Sequence, residues 1–68
     1  MKIKINGDEK IFEESPSLEK VIQKELSGKG LDGIAVALNY KVIHRQNWSD
    51  TKLNENDEIE IVTAVQGG

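Results

Sequence analysis

Lys2-Ile3-Lys4-Ile5-Asn6 alternates polar and apolar side chains, the period of a strand with one buried face. Lys2 and Lys4 are expected to face away from Ile3 and Ile5. Asn6-Gly7 follows, and both residues tolerate a positive φ, so a tight hairpin turn is predicted there. Lys10-Ile11-Phe12-Glu13 resumes as the second strand. Ser15-Pro16 predicts a helix start: serine accepts from orphan backbone N–H groups, and proline at the first helical position forfeits no hydrogen bond. Leu18, Val21, Ile22 and Leu26 then recur at helical spacing, with Glu19, Lys20, Gln23, Lys24 and Glu25 on the opposite face. Gly28 is the expected C-cap.

Beyond Gly33, Ile34-Ala35-Val36-Ala37-Leu38 reads as a third strand, with Ile34, Val36 and Leu38 toward the helix and Ala35 and Ala37 outward. Asn39-Tyr40-Lys41 is a turn before a short fourth strand around Val42-Ile43. A less regular stretch supplies Trp48 and Leu53 as plugs at the end of the core, and residues 54–57 form a polar turn. Glu58-Ile59-Glu60-Ile61-Val62-Thr63 is the last strand, with Ile59 and Ile61 inward. The order ββαβββ predicts an α+β domain in which one main helix crosses a sheet of four to five strands.

At 68 residues the chain makes a single domain, with residues from about 64 to 68 projecting as a flexible tail. A chain this short buries only about 60% of its unfolded surface, so its core is thin. It has no cysteine, which removes disulfides, thiolate zinc sites and thiol nucleophiles together. A net charge of −3 argues against nucleic acid, whose phosphates need a clustered basic face. No apolar run approaches the ~20 residues of a membrane helix, and no signal peptide is recognisable, so no membrane association and a cytoplasmic location are expected.

The folded body offers little chemistry. His44, the only histidine, sits beside Arg45 in a polar stretch and reads as a solvated surface residue. Gly28, Gly30 and Gly33 are not followed by a helix start, so they make no phosphate-binding loop. Asn54, Asn56 and Glu58 lack the glycine and terminal glutamate of a calcium loop, and no metal is expected. Glu55, Asp57, Glu58 and Glu60, with Asp8, Glu9, Glu13 and Glu14, read as a solvated acidic face suited to a basic partner surface.

The C-terminal Ala64-Val65-Gln66-Gly67-Gly68 differs from the rest. Two residues without side chains let the chain thread a narrow slot and carry an unhindered carboxylate into another protein's active site. A carboxylate resists nucleophiles until one oxygen becomes a leaving group. Adenylation by ATP achieves that, and a sulfur donor can then displace AMP to leave a thiocarboxylate. The chain shows no ATP site of its own, so a partner must perform the activation and no cofactor is expected here.

Residues 60–68 resemble the C-terminus of the sulfur carrier proteins of thiamine biosynthesis. Ile34-Ala35-Val36-Ala37-Leu38-Asn39, then Val42, Ile43 and Trp48, resemble the middle of the same family. The Gly67-Gly68 ending alone is shared with ubiquitin and with the small subunit of molybdopterin synthase. The string Val62-Thr63-Ala64-Val65-Gln66-Gly67-Gly68 and the very short length favour the thiamine branch. Tyr40 departs from the pattern, standing where glycine or another small residue is common.

The resemblance implies a ubiquitin-like β-grasp fold with the first and last strands adjacent and parallel. It implies a carrier, not an enzyme, whose Gly68 is adenylated by an E1-like adenylyltransferase, with Gln66 and Gly67 as the slender segment behind it. It further implies sulfur from a cysteine desulfurase or related persulfide donor, and consumption of the thiocarboxylate by thiazole synthase. Independently, Ala35, Ala37, Val62 and Ala64 alternate away from the expected core and are candidates for an apolar docking patch on the open sheet face. A molybdopterin-type carrier, a protein modifier joined through Gly68, and a passive interaction domain stand as alternatives.

Overall fold

The computed structural model describes residues 1–12, 14–26 and 33–63. Strands β1 (Lys2–Ile5) and β2 (Asp8–Ile11) form a hairpin, followed by helix α1 (Leu18–Glu25). Strands β3 (Ile34–Leu38) and β4 (Lys41–Val42), a 3-10 turn at Arg45–Asn47 and strand β5 (Glu58–Thr63) follow among the described residues. The sheet order is β2-β1-β5-β3-β4, so the first and last strands lie side by side, parallel, at its centre. All the other strand pairs are antiparallel. Among the described residues no helix is long and apolar enough to cross a membrane.

Turn chemistry sets the two hairpins. Asn6 and Gly7 have φ of 51° and 89°, and Asn39 and Tyr40 have φ of 50° and 69°. Positive φ at both central residues is the two-residue hairpin geometry whose twist matches that of the strands. The first turn places Ile5 opposite Asp8, so β2 begins at Asp8, two residues before the expected Lys10. The second pairs Leu38 with Lys41 and Ala37 with Val42, moving β4 one residue earlier than Val42-Ile43. Tyr40 holds a conformation that normally costs a side-chain-bearing residue about 1–2 kcal/mol. Its hydroxyl donates to Glu58 Oε1 at 3.3 Å, tying the turn to β5.

The helix begins later than expected. Ser17 is the N-cap, and its Oγ accepts from the Lys20 N–H at 3.2 Å. Ser15 is otherwise engaged: its hydroxyl donates to the Leu53 carbonyl at 2.6 Å, while Leu53 N–H donates to Pro16 O at 3.3 Å. Ser17 forms an isolated antiparallel bridge with Lys52, so residues 15–17 run extended beside 51–53. The expected cap at Gly28 lies outside the described residues.

Ile3, Ile5, Val36 and Ile59 from the sheet meet Leu18, Val21 and Ile22 from the helix, with Trp48 and Leu53 closing the end. Trp48 is buried, and its indole N–H reaches the Ile43 carbonyl at 2.9 Å, so its one polar atom is satisfied. Asp57 belongs to this framework and not to a solvated acidic face. It is 8% exposed, accepts from the Asn54 N–H at 2.7 Å and from Asn39 Nδ2 at 3.1 Å, and joins the β3–β4 turn to the start of β5. Charge in the sequence reads as solvation, but the turn geometry folds this carboxylate back onto one backbone N–H and one side-chain amide.

Candidate functional site

The terminal segment follows directly from β5. Ala64, Gln66, Gly67 and Gly68 lie outside the described residues, so the site is built from the strand that presents them. Residues 60–63 extend beyond the end of β1 and are held on one flank by β3, where Ile34 pairs with Thr63 and Ala35 with Val62. The chain reaches its tail along a strand that begins in the middle of the sheet.

The sheet face opposite the helix carries the side chains that alternate away from the core. Ala35 is exposed, Ala37 is half-buried and Val62 is 58% exposed. Cross-strand pairing brings them together, Ala35 beside Val62 and Ala37 beside both Glu60 and Val42. Val42, 63% exposed, was missing from the sequence-derived patch. Its place follows from the hairpin register: a two-residue turn at Asn39-Tyr40 sets position 42 opposite 37. These residues line a shallow depression of about 160 Å³. That is smaller than the ~300 Å³ lower end of small-molecule sites, and it suits an inserted side chain of another protein.

Carboxylates border the patch. Glu58 and Glu60 share the open face, and the Tyr40 hydroxyl lies against Glu58. The negative charge of Glu58 and its hydrogen bond hold the Tyr40 phenol above its ordinary value of 10.0, with slight desolvation and Glu60 adding to the effect. Farther across the sheet, Lys2 Nζ approaches Glu9 Oε2 at 3.6 Å, both largely exposed, a pair that contributes little to stability. His44 is exposed, precedes the 3-10 turn and makes no capping bond with its side chain.

The model of the ThiS family matches residues 3–68, from β1 through both terminal glycines. The chain belongs to the ThiS family. Members of this family are small sulfur carrier proteins of thiamine biosynthesis, carriers and not catalysts. A curated relative, a thiazole synthase from Paramagnetospirillum magneticum, is 31% identical over 70 residues. That match takes in all of this chain but 20% of the relative, so the chain spans about a fifth of that protein's length. The crystal structure of the thiamine biosynthesis protein ThiS from Geobacter metallireducens superposes with a TM-score of 0.82 at 23% identity, covering the whole of both chains. The fold is therefore the ubiquitin-like β-grasp of the family, with a five-stranded mixed sheet and one α-helix among the described residues.

Proposed function

We propose that the chain carries sulfur as a thiocarboxylate on Gly68 and delivers it for thiazole formation. The observation that carries this reading is a family match that extends from residue 3 through Gly67-Gly68, the residues that follow β5 in the sequence. A carboxylate oxygen of Gly68 attacks the α-phosphorus of ATP in an E1-like adenylyltransferase, and pyrophosphate leaves. The acyl carbon then holds a good leaving group. The terminal sulfur of a persulfide, from a cysteine desulfurase or related donor, attacks that carbon and expels AMP. A second thiol cleaves the resulting S–S bond, leaving the thiocarboxylate. Gln66 and Gly67 thread the partner's slot, since glycine adds no side chain to the cross-section.

The patch of Ala35, Ala37, Val42 and Val62 docks the activating enzyme while the tail enters its active site. The acidic rim at Glu58 and Glu60 favours a partner with basic side chains around an apolar centre. Likeness to part of a thiazole synthase supports thiazole formation over molybdopterin supply.

The test is a mass measurement on the protein ending in a free Gly68 carboxylate. With ATP, the activating enzyme and sulfide, one terminal oxygen is replaced by sulfur, and fragmentation places the change on Gly68. An unaltered terminus with a competent activator defeats the carrier reading. Isopeptide conjugates to lysine would indicate a modifier instead.

A further inference from the structure

Strand β5 outruns its central neighbour. β1 ends at Ile5, opposite Ile59, and the chain turns away through Asn6-Gly7. Where the next residue of β1 would lie, the Asn6 side chain takes its place. Its Oδ1 accepts from the Ile61 N–H at 2.8 Å, and its Nδ2 donates to the Ile61 carbonyl at 3.2 Å. The Asn6 N–H itself donates to Ile59 O at 2.8 Å. A carboxamide offers the same donor and acceptor as a peptide group, so it continues the parallel ladder by one step. Peptide groups alternate sides along a strand, so the next group on this flank belongs to Thr63, and β1 has already turned away there.

The turn alone does not demand this side chain. Glycine also adopts the φ of 51° found at Asn6. Asparagine adds the clamp on Ile61. We propose that Asn6 is a positioning residue for the terminal segment: it holds the Ile61 peptide and so sets the direction in which β5 launches the glycines. This rests on the carrier reading above. The course of β5 at Ile61 sets where the segment leading to Gly68 begins, and a reacting carboxylate must meet its target within a fraction of an ångström. Docking through Ala35, Ala37, Val42 and Val62 is separate, because Asn6 belongs to the opposite flank of β5.

Asn6→Gly removes the clamp and keeps the turn. ATP–pyrophosphate exchange with the activating adenylyltransferase, measured against carrier concentration, separates kcat from KM. Loss of the two bonds is expected to lower kcat roughly fivefold or more at unchanged KM. Amide hydrogen exchange at Ile61 should accelerate by a similar factor, roughly fivefold, with Ile3 and Val36 unchanged as a check on folding. Unaltered exchange at Ile61 would remove the clamp. Faster exchange with unaltered kcat, or a change confined to KM, would remove the positioning role. An inert wild-type chain would instead overturn the carrier reading, and the positioning role with it, while Ile61 exchange still reports the clamp.

Discussion

Replacing Asp57 with alanine tests whether one carboxylate holds the β3–β4 turn to the start of β5. Asp57 is buried, and its two oxygens accept from the Asn54 N–H at 2.7 Å and Asn39 Nδ2 at 3.1 Å. Hydrogen bonds to a charged group contribute about 1.5–3 kcal/mol, and alanine also strands two donors. Partial access to water at the surface lowers that second cost, so a total loss of ~2–3 kcal/mol is expected. For a domain of this size each kcal/mol shifts Tm by about 4–8 °C, which gives a drop of about 10–20 °C. Thermal and urea unfolding by circular dichroism measure it. Asn39→Gly suits a double-mutant cycle, because glycine accepts the φ of 50° while losing the side chain. The bond from Glu58 N–H to Asn39 Oδ1 is lost in both arms and cancels. Coupling of about 1 kcal/mol is expected from the Asp57–Asn39 contact. A loss below about 0.5 kcal/mol for Asp57→Ala, or no coupling, would refute the assignment of Asp57 to the framework.

Tyr40 is the single tyrosine, so tyrosinate absorbance reports it alone: ionisation should occur above pH 10.0 and fall back toward that value in Glu58→Gln. Because the folded-state value is raised, the associated stability is complete below the unfolded value and disappears as pH rises through the folded one; alkaline unfolding curves should show that sign. Val62→Asp places a charge in the patch and should weaken capture by the activating enzyme about tenfold or more, with Tm little changed because Val62 is 58% exposed; titration calorimetry measures the affinity, and an unchanged value removes the patch. Deleting Gly68 should leave thermal unfolding unchanged, since the core is built from residues 3–59, yet abolish thiocarboxylate formation by mass spectrometry. Trp48→Ala should lower stability by about 3–5 kcal/mol, enough to unfold much of so small a domain, as read by urea denaturation.

The strands and their faces were legible because period and turn chemistry agree. Ile3, Ile5, Val36 and Ile59 alternate as a buried sheet face must, and Asn6-Gly7 signals its positive-φ turn, whereas Tyr40 gives no such signal for the φ of 69° it adopts. The parallel β1–β5 pairing was implied by family resemblance, since no local pattern links residue 5 to residue 59. The helix start was misplaced because Ser15, Pro16 and Ser17 all carry N-terminal signals. Tertiary pairing with residues 51–53 decides among them, and only the fold reveals it. Asp57 was misread for a similar reason: a carboxylate in an acidic run looks the same whether water or a backbone N–H solvates it. In the exposed apolar patch, Ala35, Ala37 and Val62 followed from alternation, while Val42 needed the hairpin register. Asn6 read as turn chemistry alone, because its bond to Ile61 spans most of the chain.

The parallel pairing of β1 with β5 also governs when this protein becomes itself during synthesis. Its central ladder joins the opening residues to Glu58 and Ile59, so it cannot close on a ribosome that has yet to make them. Contacts of such sequence separation slow folding, because a long loop must be closed before it is rewarded. The first hairpin emerges early with one side of β1 unoccupied, an edge open to misplaced partners until the last strand slots in. The strand that completes the central ladder also leads toward Gly67 and Gly68, so the sheet's centre assembles only after most of the sequence before those glycines has been made.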